Sequence, residues 1–155
     1  DCSPNIIALM PRLHKISYRQ AIKLSPMFDC EEAFRLLSPS TVEVVSIAGE
    51  CKELNIYTPS ERDMLRIAIV GRGEWLFEPS AMHAEPTRST FDPSAYRYMI
   101  IPDVALQKAR VAIAASIITG CGITPCSIRN AAPLCASSTE WREAQCNSFP
   151  FCPER

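Results

Sequence analysis

The sequence predicts an α+β domain, with an antiparallel or mixed sheet and helices on one face. Three observations carry that expectation. Short β-branched runs such as Val42–Ala48 are separated by short loops. Capping residues stand directly before short amphipathic stretches. Regular βαβ alternation, which a doubly wound parallel sheet requires, is absent. With 155 residues, 47% of them apolar and 21% charged, the chain is long enough to bury a real core as a single domain.

Taken in order, Asn5–Met10 is apolar and β-permissive, and Arg12–Arg19 alternates loosely through Leu13, Ile16 and Tyr18. One or two strands are expected there, with Pro11 at a bend. Ser25-Pro26 breaks the pattern. Asp29 with Glu32 forms a capping box that opens a helix through Ala33, Phe34 and Leu37, and Ser38-Pro39-Ser40 ends it. Val42–Ala48 reads as a strand, Gly49-Glu50 as a turn and Leu54–Tyr57 as a second strand. Thr58-Pro59-Ser60-Glu61 has the form of a helix start, with Thr58 capping and Pro59 in the first helical position. That predicts a helix to about Arg66, before an ambiguous Ile67–Val70. Gly71-Arg72-Gly73 is a turn, and Trp75–Glu78 a short strand. Pro79–Ser94, with three prolines, predicts a long exposed loop. Tyr96–Ile101 returns to a strand pattern. Asp103 can cap Val104–Thr119, whose alanines favour a helix ending at Gly120 while its Val and Ile content leaves a strand reading open, and Ser137 with Glu140 opens a last short helix to Cys146.

Net charge is −1, from 16 basic and 17 acidic residues that are well mixed. No basic run points to nucleic acid and no polybasic patch to a membrane. The longest apolar run, Val111–Thr119, is too short to span a bilayer. Eight cysteines, an even number, point to an oxidising compartment. Cys2, Cys30 and Cys51 lie in the first third of the chain. Cys121, Cys126, Cys135, Cys146 and Cys152 crowd the tail, at spacings that lack the close ligand pairs of a zinc ribbon. All eight are expected to be bridged. Parity then forces at least one bridge within the tail and at least one from the tail to Cys2, Cys30 or Cys51, whichever of the 105 connectivities holds. Each bridge would contribute about 2–4 kcal/mol, mostly by restricting the unfolded chain. The opening Asp1-Cys2-Ser3-Pro4 suits a mature secreted product from which a leader has been removed.

Chemistry-bearing motifs are sparse. His14 and His83 are the two histidines, and neither sits in a Gly-x-Ser-x-Gly elbow or a His-Glu-x-x-His helix. His14 reads as a sheet residue and His83 as a solvated loop side chain, so no catalytic residue, metal ligand or cofactor site is assigned. Glu31 and Glu32 are adjacent in a helix and point apart; near its N-terminus they favour the helix dipole. Arg62 and Arg66, four apart in the predicted helix, form with Arg72 a candidate basic patch, set against a solvated face interleaved with Glu61 and Asp63. Arg97 between Tyr96 and Tyr98 is a further candidate contact, since aromatic and arginine side chains are enriched at binding hot spots. Arg88 and Phe91 lie in the long loop and are the remaining candidates for partner binding, because exposed loops carry such contacts more often than core elements.

Several segments are distinctive together: Leu9-Met10-Pro11-Arg12-Leu13, Leu24-Ser25-Pro26-Met27, Leu37-Ser38-Pro39-Ser40-Thr41 and Ile47-Ala48-Gly49-Glu50-Cys51. To these are added Thr58-Pro59-Ser60-Glu61, Tyr96-Arg97-Tyr98-Met99-Ile100-Ile101-Pro102 and Gly120-Cys121-Gly122-Ile123-Thr124-Pro125-Cys126. The set resembles the small secreted cysteine-rich effectors of plant-pathogenic Dothideomycete fungi, over most of the chain. Within them it is most similar to the Leptosphaeria avirulence-and-suppressing structural family, which includes an extracellular protein of the tomato leaf-mould fungus. That family joins an aromatic–Arg pair to a downstream proline; Tyr96, Arg97 and Pro102 stand there, with tyrosine in place of the usual tryptophan. The resemblance implies a four-stranded antiparallel sheet covered by helices and held by several disulfides. It implies a virulence role without enzymatic activity, recognition by plant resistance proteins and, for some members, masking of another member's recognition.

The expectation is therefore a monomeric, secreted effector of the plant apoplast, acting there or in the host cell after uptake. Its partner would be a host plant protein or immune receptor, with no nucleic acid, membrane or cofactor. A disulfide-rich protease inhibitor presenting Pro79–Ser94 to an enzyme cleft, or a small secreted hydrolase, are the competing readings.

Overall fold

A computed structural model describes residues 5–85, 98–118, 123–125, 134–136 and 151–153. The architecture is α+β. Its main sheet is mixed and has five strands in the order β1-β3-β2-β4-β5: β1 Gln20–Leu24, β2 Thr41–Ile47, β3 Glu50–Thr58, β4 Met64–Ile69 and β5 Gly73–Phe77. Every neighbour pair is antiparallel except β2 with β4. The expected four-stranded antiparallel sheet is thus replaced by five strands with one parallel pair. A second sheet, antiparallel throughout, has the order β7-β8-β6-β9, from β6 Tyr98–Pro102, β7 Ile123–Pro125, β8 Leu134–Ala136 and β9 Phe151–Pro153.

The centre of the main sheet is the β2–β3 hairpin. Alternate side chains of β2, β3 and β4 are fully buried on one face: Val42 and Val44, Leu54 and Ile56, Leu65 and Ile67. Each of these large side chains contributes about 1.5–3 kcal/mol relative to exposure. The turn between β2 and β3 is Ala48-Gly49, one residue earlier than expected, with φ of 51° and 80°. Two positive φ values in a two-residue loop match the right-handed twist of the flanking strands. Lys52 is the extra residue on β3 where the register shifts beside Val45 and Ser46, so β3 is a longer, bulged strand where a short one was expected.

Helices cover the face that carries these buried residues. The predicted helix at Asp29 is α2, Cys30–Leu37, and the Asp29 carboxylate accepts hydrogen bonds from the amides of Glu31 and Glu32. Its buried residues, Ala33, Phe34 and Leu37, join the sheet core. Asp103 caps α3, Val104–Lys108, and the same carboxylate oxygen accepts from the buried Ser46 hydroxyl at 2.6 Å, pinning the helix start to β2.

Three sequence expectations are corrected. The first strand region is α1, Ile6–Ile16, in which Asn5 accepts from the Ala8 amide, and Ile6 and Met10, one helical turn apart, pack on the core. Pro11 lies inside that helix, where it bends no strand. Secondly, Thr58-Pro59-Ser60-Glu61 starts no helix. The chain leaving β3 has only Pro59–Asp63 in which to pass beneath the start of β2 and emerge on its far side as β4. Its polar groups are spent on that crossing: Ser60 N–H donates to Pro39 C=O, Met64 N–H to Ser40 C=O, and Asp63 accepts from the Ser38 hydroxyl and the Ser40 amide. Thirdly, the long helix from Val104 breaks into α3 and α4 (Ala112–Ile118) at Arg110, whose φ is 57°. Arg110 N–H donates to Gln107 C=O and Val111 N–H to Leu106 C=O, a helix stop that needs a left-handed residue at Arg110 and leaves both Leu106 and Val111 fully buried.

The long loop begins with a 3-10 turn, Pro79–His83, whose Met82 joins the core. Its remainder from 86 to 97, the end of the predicted helix at Gly120 and the predicted helix at Glu140 lie outside the described residues. Among the described side chains no disulfide forms. Cys30 and Cys51, expected to be bridged, are free thiols: Cys30 is buried in the first turn of α2, and Cys51 is half-buried against the same core. The side chains of Cys2, Cys121, Cys126, Cys135, Cys146 and Cys152 lie outside the described residues.

Candidate interaction surface

Strand alternation sends the odd-numbered residues of β1, of β2 and of β3 beyond its bulge, and the even-numbered ones of β4 and β5, to the sheet face opposite the helices. The register places Lys23, Asn55, Glu43, Arg66 and Leu76 in one row across all five strands. At its centre is Glu43, whose side chain is only 9% exposed. A carboxylate removed from water this far needs partners. Among the described residues it has three: Tyr57 OH donates at 2.9 Å, Asn55 Nδ2 at 3.0 Å, and the Arg66 guanidinium lies 3.3 Å away. Arg66 reaches on to Glu74 at 2.5 Å, and Asn55 also donates to Glu53, which is paired with Lys23. A continuous polar ladder thereby crosses the sheet, Lys23–Glu53–Asn55–Glu43–Arg66–Glu74, with the neutral Asn55 amide bridging the two carboxylates at its centre.

The ladder sets the local titration. Burial, then the hydrogen bond to Glu43, raises the Tyr57 phenol above its usual range, so it stays a donor. The Glu74 contact raises Arg66, and the Lys23 contact lowers Glu53. On the same face Ile47, Tyr57 and Leu76 keep more than a third of their surface exposed. Tyr57 is therefore an aromatic ring held at one end by a buried anion and open at its face. Such a side chain loses little conformational freedom on contact with a partner.

A second cluster joins the start of α2 to the end of α3. Arg110 donates to Asp29 at 2.8 Å and Glu31 at 3.2 Å, and His83 Nε2 stands 3.7 Å from Glu31. Burial acts to raise the Asp29 carboxyl. The Glu32 and Glu31 amides and the Arg110 and Lys108 charges outweigh it, holding the group below its ordinary range. Beside it, burial pushes the Cys30 thiol up to about 11.

Of the residues singled out from sequence, Arg62, Arg66 and Arg72 share no helix. They are spread along the β4–β5 hairpin: Arg62 before β4 and 3.4 Å from Glu78, Arg66 in the middle of β4, and Arg72 in the turn. Glutamates neutralise the first two, so the three make no basic patch. Arg88, Phe91 and Arg97 lie outside the described residues. His14 is exposed in the last turn of α1. Among the described residues no group of three His, Cys, Asp or Glu side chains could hold a metal ion. Sequence reasoning missed Glu43, Tyr57 and Arg110. A single charge inside the β-branched run Val42-Glu43-Val44 is the one local signal that could have marked the first.

Comparison with protein-family models, with curated proteins and with solved structures finds no match in any of the three.

Proposed function

We propose that the chain is a secreted virulence effector of a plant-pathogenic fungus that works by binding a host plant protein, in the apoplast or after uptake. In this reading plant resistance proteins recognise it, and it masks the recognition of another effector. The motif resemblance supports the biological setting. The observation that carries the binding reading is the sheet face opposite the helices. There Tyr57 stands exposed beside a charge ladder already ordered by Glu43, and Ile47 stands exposed further along the same face, at the far end of β2. A surface of this kind pairs a rigid aromatic anchor with polar groups that need no rearrangement, the arrangement found at interface hot spots. Among the described residues no helix is long and apolar enough to cross a membrane.

Affinity capture from host apoplastic fluid and leaf extract tests the proposal, with wild type compared to Ile47→Ala/Tyr57→Ala. The wild type is expected to retain a plant protein that the variant loses, because truncating a true anchor costs about 2 kcal/mol or more. Both proteins should show the same circular dichroism. Equal capture by the two removes this face as the binding surface, and no specific capture by the wild type removes the binding reading itself.

A further inference from the structure

Among the described residues β5 is an edge strand: it pairs with β4 alone, and no backbone hydrogen bond from a described residue closes its other side. An unpaired edge is a template for another strand unless something blocks it. The opposite edge is guarded, since β1 carries Lys23, held by Glu53. β5 reads Gly73-Glu74-Trp75-Leu76-Phe77 and has neither lysine nor proline. Leu76 is 62% exposed on it, and Val70 in the preceding turn is 56% exposed. Trp75 is half-buried, its ring lying over Gly73, where a Cβ would meet ring carbons at 3.3 Å.

We propose that a second copy of this chain pairs with that edge, β5 against β5 in antiparallel register, with a two-fold axis at Trp75. The register follows from the charges. Centred on Trp75, Arg72 of each copy stands opposite Glu78 of the other, twice by symmetry, and Glu74 stands opposite Leu76. Sliding by two residues sets Glu74 against Glu74 in one direction and against Glu78 in the other; both are repulsive. Arg72 has no ion-pair partner among the described residues, and Glu78 has only the 3.4 Å contact to an exposed Arg62. Arg72 is open to the other copy, and Glu78 would exchange its long, exposed contact with Arg62 for the partner's Arg72. The two tryptophans meet at the axis, and the main sheets merge into one ten-stranded sheet with the helices of both copies on the same face. An isologous contact of this kind closes on itself and leaves β1 as the outer edge at both ends. This departs from the monomer expected from sequence, and it stands independently of the proposed host binding.

Sedimentation equilibrium over a wide concentration range tests it on four proteins: wild type, Arg72→Glu, Glu78→Arg and the double exchange. The wild type is expected to show a reversible monomer–dimer equilibrium. Each single exchange sets like charges opposite each other twice and should abolish the dimer. The double exchange restores opposite charges and should recover it. Circular dichroism confirms that each variant is folded, which exposed charges permit. A wild type that stays monomeric at every concentration overturns the proposal. Dimerisation that survives either single exchange, or is not recovered by the double one, overturns the register and with it the β5 interface.

Discussion

Arg110 occupies a position where the backbone favours glycine. A side chain in the left-handed region costs about 1–2 kcal/mol, and the helix stop after α3 requires that conformation. What offsets the cost is the guanidinium, which reaches back to Asp29 and Glu31 at the start of α2. These groups are half exposed, so each contact contributes only about 0.2–1 kcal/mol. The two substitutions that delete the side chain therefore differ. Arg110→Gly loses the ion pairs but relieves the backbone, and should leave stability within about 0.5 kcal/mol of wild type. Arg110→Ala loses the ion pairs and keeps the strain, and should destabilise by about 0.5–1 kcal/mol. Urea denaturation of both variants checks this; an alanine variant no less stable than the glycine variant would refute the account.

At the scale of elements, β2 holds the sheet together because it is paired on both sides, and Glu43 is its one buried charge. The neighbours that satisfy Glu43 come from β3 and β4, on opposite sides of β2, so the carboxylate ties three strands together on the face without helices. Removing one partner of a buried charged network leaves the rest unsatisfied, which costs more than the net worth of the contact. Glu43→Ala should therefore cost about 2–3 kcal/mol, because Tyr57 OH, Asn55 and Arg66 lose their common acceptor. Glu43→Gln keeps one acceptor oxygen and should cost less than half as much. Denaturation midpoints of the two variants decide the matter. Equal stability of Glu43→Ala and wild type would reduce the ladder to a surface ornament of no structural consequence.

For the whole molecule, the thiols decide how the ends of the chain are tied together. With Cys30 and Cys51 free, six cysteines remain, five of them in the tail. If those six pair, Cys2 must bond a tail cysteine, so the ends are joined and the two core thiols stay out of the framework. Alkylation under denaturing, non-reducing conditions should label Cys30 and Cys51 alone. In the native protein Cys51, half-buried, should react before Cys30, whose thiol is buried and protonated at neutral pH. Peptide mapping by mass spectrometry reads both results, and a bridged peptide containing either residue would overturn the assignment.

What the sequence determined by itself is what neighbours a few residues apart can enforce. Asp29 caps α2, Asp103 caps α3, the β-branched run makes β2, and Gly71 stands at a positive φ in the tight turn before β5. The α+β class follows from such signals. Only the tertiary structure decided the remainder. Asn5–Ile16 has apolar residues that suit either period, and packing of Ile6 and Met10 on the core selected a helix. Thr58–Glu61 carries good capping residues, yet the crossing beneath β2 claimed their hydrogen bonds. The charge ladder brings together Lys23, Glu43, Asn55, Tyr57, Arg66 and Glu74, and the β5 edge exists because β4 passed to the far side of β2. Those outcomes depend on strand order and register, which are set by burying one common apolar face, and no local propensity encodes them.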